Sequence, residues 1–259
     1  MDEKTPQRNR WSWAFICALC GAYVAYYPLT NTDIWWHLAA GREMVSRGAF
    51  LHSDPFTFTP SLPWVDLHWL FQLLVYGLHA LGGVGLILLV KFLLVGTACL
   101  VMFWAMDARY PALTALLTVL AVYESRHLIL VRPVLLTLLF LALFLFLLER
   151  YRISGNRRFL YPLVPLQVLW VNVQGLFGLG LFVAAAYCIG VGTSVFLRRG
   201  AAQEDGDRRV GRKTVVTLGV AFCVLVVSCL VNPYGVRGLL FPLRLFGRIE
   251  PSLRNVFSM

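Results

Sequence analysis

The chain has 259 residues, 59% hydrophobic and 14% charged, with a net charge of +10 and a mean hydropathy of +0.70. That balance excludes an ordinary soluble domain, and apolar runs of about 17–23 residues, the length that crosses a bilayer as a helix, recur along the chain. An excess of bases would point to nucleic acid in a soluble protein; here the bases fall mostly in loops between apolar runs, so membrane topology accounts for them and no nucleic-acid partner is expected.

The first expected span covers residues 11–28, after a start carrying Lys4, Arg8 and Arg10. No small-residue cleavage site follows, and Tyr23, Tyr26 and Tyr27 suit a membrane interface, so this reads as a retained helix rather than a signal peptide. All six cysteines lie inside apolar runs. The Cys17-x-x-Cys20 pair sits there without partner ligands and reads as small buried side chains, with neither disulfide nor zinc.

Residues 30–82 differ from everything else. This stretch and its edge at Gly83 hold four of the five histidines, four of the eight tryptophans and the carboxylates Asp33, Glu43, Asp54 and Asp66. Two amphipathic helices are expected in it. Trp35 to Val45 has Arg42 and Glu43 on its polar side and Gly48 as its stop. Leu67 to Leu81 has Trp69, Leu70, Leu73, Leu74 and Leu78 on one side, with His68, Gln72, Tyr76 and His79 interrupting the run. Asp54-Pro55 and Pro60 to Pro63 are turn material between them.

Further spans are expected at about 83–105, 110–123, 133–148, 159–174, 177–197 and 214–231, with a turn near Gln174-Gly175 and a solvated loop at 204–209. Basic clusters at the N-terminus, at Arg150 to Arg158 and at Arg198 to Lys213 belong in the cytoplasm by the positive-inside rule. Alternation then gives seven spans, N-terminus in the cytoplasm and C-terminus outside. It keeps the whole of 30–82 on the outer face, so Leu67–Leu81 lies along the interface instead of crossing. All five histidines, with Asp33, Asp54, Asp66 and Glu124, fall on that outer side, as a polar site just outside the bilayer requires. The 236–259 tail is expected outside as well.

The run Asp33-Ile34-Trp35-Trp36-His37-Leu38-Ala39-Ala40-Gly41, then Asp54-Pro55-Phe56, Arg132-Pro133 and Asn232-Pro233-Tyr234-Gly235, resembles bacterial members of the GT-C superfamily of membrane glycosyltransferases. The resemblance covers most of the chain; order and membrane side carry it more than any single motif. It implies an all-α, seven-span module of the inner membrane with two interfacial helices in the first outer loop. It also implies inverting transfer of a sugar from a polyprenyl-phosphate-type lipid to an acceptor on the extracytoplasmic face.

In that setting the resemblance makes Asp33 the catalytic base, and beside Trp35 and Trp36 its carboxylate would be partly desolvated and the more basic for it. The bland alternative is an N-cap for the helix that begins near Ile34. His37 and His68 either assist in acid–base work or hydrogen-bond the loop. Arg126 and Arg132 suit bidentate phosphate binding, against simple anchoring to headgroups. Lys91, a charge inside an apolar run, is either a donor-phosphate contact or a snorkelling side chain. Arg237 faces the donor phosphate or the headgroups. Asp33, Glu124 and His127 form a candidate set for a divalent ion such as Mg²⁺ or Mn²⁺, although the family's full acidic pair is absent. Asp54, Asp66, His68, Asn172 and Gln174 are candidates for acceptor contacts or loop support, with interhelical hydrogen bonding the plainer role for Asn172 and Gln174.

Two other functions stay open: a non-catalytic scaffold or lipid-binding subunit on the same fold, and, ranked last, a transporter, for which no inverted repeat is evident. Members of the resembled family commonly continue with more helices and an outer domain, so a partner subunit completing the module is also expected as an option.

Overall fold

The computed structural model describes residues 4–26, 28–56, 64–106, 109–198 and 205–243, and every regular element among them is helical. In chain order these are α1 (Lys4–Val24), α2 (Asp33–Arg47), α3 (Trp69–Ala105), α4 (Pro111–Glu124), α5 (Val134–Ser154), α6 (Leu163–Val173), α7 (Gly178–Arg198) and α8 (Asp205–Ser228). A last helix, α9, covers 236–243. The turn material at 60–63 and the end of the tail, 244–259, lie outside the described residues. The 204–209 run is not the loop expected: from Asp205 it belongs to α8.

Among the described residues three stretches are long and apolar enough to cross a membrane: Trp69–Ala105, Val134–Ser154 and Gly175–Leu197. The expected spans at 110–123 and 159–174 are shorter helices. At 11 residues α6 rises only about 16 Å, roughly half the 30 Å of a hydrocarbon layer.

Glycines set the breaks. Gly48 closes α2 and Gly155 closes α5, both in the left-handed conformation (φ 62° and 67°) that a side chain disfavours. Inside α3, Gly82 and Gly83 leave helical geometry, and Gly83 (φ 61°, ψ −155°) occupies a region open in practice to glycine alone. The break divides α3 into a first arm, to Leu81, and a second arm from Val84, which is the division expected from the change in polarity at that point.

The second arm packs on α1 through small residues: Gly96 lies against Ala18 and Ala22, and Gly21 against Cys99. At Gly96 the backbone meets the Ala18 carbonyl directly, the close approach that small-residue helix interfaces exploit. Elsewhere Trp170 of α6 fills the centre of the core. It is fully buried between Phe140 and Phe144 of α5, and its indole N–H donates to Thr137 Oγ1 at 3.2 Å. Burying an indole is favourable only when that donor finds an acceptor.

The first arm of α3 buries Phe71 and Val75 and exposes His79. Gln72 is completely buried, whereas Leu74 and Leu81 are exposed. The cause is α2: a Cβ on Gly41 would strike the backbone carbonyl of Gln72 and the side chain of Tyr76, so α2 seats its glycine directly on the polar stripe. A helix bordered by lipid gains by turning polar groups to protein and leucines outward.

Candidate functional site

The polar side chains converge where α2, the start of α3 and the Arg132-Pro133 turn before α5 meet. Asp33 opens α2, in the first turn, where a carboxylate is favoured by the helix dipole. It is not the cap. Asn31 accepts the Asp33 backbone N–H at 3.0 Å, so the Asx turn belongs to Asn31. The buried Asn31 amide also donates to the Val131 carbonyl at 3.3 Å and accepts from Arg132 Nη2 at 3.2 Å. The same Nη2 meets Asp33 Oδ2 at 2.8 Å. One asparagine thus aligns an acid and a guanidinium that stand about a hundred residues apart in sequence.

The pair is open to solvent, with 50% of the Asp33 side chain and 43% of Arg132 exposed. The neighbouring tryptophans turn elsewhere. Trp35 points outward, and Trp36 turns to Trp64, Phe56 and His37 at ring separations of 6.0, 6.3 and 5.1 Å.

His37, one turn along α2, is buried beneath this pair against Phe71 (5.1 Å) and His68 (6.0 Å). Its Nδ1 has no hydrogen-bond partner among the described residues. Burial, reinforced by the charges of His68 and Arg132, holds its pKa down to about 3. The ring is neutral near neutrality and is a weak proton acceptor, which counts against the acid–base role expected of it.

Behind His37 lies a structural knot. The carboxyl of Asp66, buried and flanked by Gln72 and Trp64, is pushed up by that burial, while the His68 backbone N–H that it accepts at 2.9 Å pulls the other way. His68 Nε2 pairs with Gln174 Oε1 at 2.7 Å, and Trp69 Nε1 donates to Asn172 Oδ1 at 3.0 Å. Asn172 Nδ2 donates in turn to the carbonyls of Val168 and Val231, each at 2.7 Å. Asn172 and Gln174 are therefore engaged in bonds between helices rather than turned to a ligand. Asp54 has the same local role, accepting the Phe56 N–H at 2.9 Å in an Asx turn.

The Asn232–Gly235 turn latches onto this knot. Asn232 accepts the Tyr234 N–H at 2.8 Å, and Tyr234 Oη donates to the Leu51 carbonyl at 3.1 Å, with its ring across His52. Burial raises the Tyr234 phenol to about 12, so it stays a donor at any physiological pH.

Other candidates lie elsewhere. Glu124 and His127 are exposed at the end of α4, and among the described residues no group of three His, Cys, Asp or Glu side chains could hold a metal. The expected set Asp33, Glu124 and His127 is thus not assembled: Asp33 is taken by Arg132. Arg126 folds back on Tyr123, its guanidinium 4.2 Å from the ring centre, and Arg237 is exposed on α9.

Lys91 is 2% exposed in the second arm of α3. It lines a cavity of about 440 Å³ whose wall is otherwise apolar, including Phe71, Val75, Leu78, Ile87 and Val131. Val131 links cavity and ion pair, since its carbonyl holds Asn31 and the next residue is Arg132. Asn31, Gln72 and Tyr234 were not singled out from sequence as site residues. The only signal was position: an Asn two residues before a helix that starts with Asp is an Asx-turn pattern.

No family model matches the chain, and neither a curated protein nor a solved structure matches it.

Proposed function

We propose that the protein is a GT-C-like membrane glycosyltransferase that moves a sugar from a polyprenyl-phosphate-type lipid to an acceptor hydroxyl at the outer membrane face. The observation that carries the reading is the ion pair between Asp33 and Arg132, which brings an acid from the first loop to a cation from the second, one residue along the chain from Val131 in the wall of an apolar cavity. An amphiphile with a phosphate head and a hydrocarbon tail fits such a site: the tail against Phe71, Val75 and Ile87, the head between Lys91 and Arg132.

The reaction is a single displacement. The acceptor oxygen attacks the anomeric carbon, the bond from that carbon to the phosphate oxygen breaks, and the acceptor proton passes to Asp33. Charge that builds on the departing phosphate is met by Arg132, which exchanges Asp33 for the donor. No step is assigned to a metal, since no ligand set forms among the described residues. His37 acts here as a neutral hydrogen-bonding group and Asp33 as the base. The proposed orientation has seven crossings, with α1, α4, α6 and the apolar part of α8 completing the span count within a helical assembly in the inner membrane.

One observation favours a second reading, a lipid-binding scaffold without catalysis: the Asp33–Arg132 pair is closed on itself, as a purely structural tie would be. Purified protein in proteoliposomes separates the two. With a polyprenyl-phosphate sugar as donor, Asp33→Asn is expected to lower transfer on the order of 10²-fold or more while polyprenyl phosphate, followed by tryptophan fluorescence, still binds. Arg132→Gln is expected to weaken that binding itself. Transfer undiminished in Asp33→Asn would remove the catalytic reading, and binding unchanged in Arg132→Gln would remove the site.

A further inference from the structure

A second lipid-facing feature lies away from the ion pair. A laterally open groove of about 780 Å³ runs between α1, α3 and α4, lined among others by Leu19, Tyr23, Phe92, Val119, Tyr123 and Arg126. Leu19 and Tyr23 are well exposed along it, so the groove is a surface that neighbouring molecules reach from the side. Arg126 is the sole ionised side chain in the lining; the exposed Glu124 nearby is not part of it. The guanidinium is held at one end by stacking on Tyr123 and by donating to the Tyr123 carbonyl at 3.0 Å.

We infer that this groove is a binding site for an anionic phospholipid, its acyl chain lying along Leu19, Phe92 and Val119 and its phosphate at Arg126. Three observations converge on that occupant. The floor is apolar and belongs to helices flanking a stretch long enough to cross a membrane, so acyl chains are the molecules at hand to cover it. Tyrosines, the residues that favour headgroup level, surround the end where the cation sits. The cation is a guanidinium, which pairs with phosphate oxygens through two parallel hydrogen bonds and adds charge attraction for an anionic head. The donor cavity beside Lys91 has different walls, so this site is independent of the glycosyl-transfer reading.

The test is lipid retention by the intact protein in nanodiscs of phosphatidylcholine with added phosphatidylglycerol, read by native mass spectrometry after release. Wild type is expected to retain phosphatidylglycerol over phosphatidylcholine by roughly fivefold, the worth of one guanidinium near a charged headgroup. Arg126→Gln abolishes that preference, Arg126→Lys keeps part of it, and Arg132→Gln leaves it intact. Leu19→Trp, which fills the groove, lowers retention of both lipids. The inference is overturned by equal retention of the two lipids in wild type, by a preference that survives Arg126→Gln, or by one lost only in Arg132→Gln. Displacement of the phosphatidylglycerol by equimolar polyprenyl phosphate would overturn it too, by assigning the groove to the donor.

Discussion

The α2–α3 end and the α7–α8 hairpin use apolar side chains in opposite ways. Around α2 and α3 the protein buries Asn31, His37, Asp54, Asp66, Gln72 and Lys91, and leaves leucines such as Leu74 and Leu81 outside. Among the described residues α7 buries no polar side chain and α8 buries only Ser228, while Phe182, Ile189, Phe196, Val216, Val220 and Val227 stand exposed. A buried polar group is tolerable only where partners are built for it, so the first region is constrained residue by residue. The second needs no more than an apolar surface and a close fit to its neighbours. The contrast teaches where chemistry can reside: the α2–α3 end gathers buried polar groups, some of them such as His37 Nδ1 and the Gln72 amide without a hydrogen-bond partner among the described residues, and the hairpin gathers almost none.

That difference predicts a gradient of mutational effects. The largest change in stability is expected at Gly41, where Gly41→Leu would force α2 off the Gln72 carbonyl, at a cost of roughly 2–3 kcal/mol. Gly83→Ala follows, at about 1–3 kcal/mol, because alanine has no comfortable place at its backbone angles. Thermal unfolding of the detergent-solubilised protein measures both. Next comes Lys91→Met, a replacement of similar volume in an apolar wall. It should leave the unfolding midpoint unchanged or raised, yet weaken polyprenyl-phosphate binding about tenfold in a fluorescence titration.

A pH test sharpens the comparison further. His37 has a folded pKa near 3, below the 6.5 of a free imidazole. The unfolded chain therefore binds a proton that the native state refuses. Stability conferred by the neutral ring is complete above pH 6.5 and falls toward pH 3, by up to about 1.4 kcal/mol per unit. Asp66 has the opposite sign: its raised carboxyl adds stability at acid pH, lost as pH rises through its folded value. Unfolding midpoints at pH 7.5 and 5 should thus drop in wild type, drop more in Asp66→Asn, and change least in His37→Gln. The smallest effect belongs to the hairpin, where Phe182→Ala at an exposed position should move stability by less than about 0.5 kcal/mol.

The stop at Gly48 and the boundary at Gly83 were legible in sequence, whereas Gly155, which closes α5 six residues beyond the expected end of its span, was not singled out. The pairing of Arg132 with Asp33 was foreseen only as a shared outer pocket. The orientation of the first α3 arm was not legible, since amphipathicity gives a polar stripe but not which neighbour covers it. Here Gly41, the last residue of the Asp33–Gly41 run, decides the matter by letting α2 come close. The metal set failed for a related reason: a carboxylate already matched to a guanidinium has little left to offer a cation. For Asn172 and Gln174 helix ties were the plainer reading from type alone, but not which groups they tie, since their partners Trp69 and His68 lie more than a hundred residues upstream.

The hydroxyl of Tyr234 reaches the carbonyl of Leu51 across 183 positions. A ribosome emits the chain from one end, so Leu51 must wait through the synthesis of six intervening helices before its phenol exists. The loop that carries the aromatic knot is thereby among the last parts to settle, and a chain halted short of residue 234 would present that knot unlatched. Synthesis past residue 234 is thus recorded in a single contact.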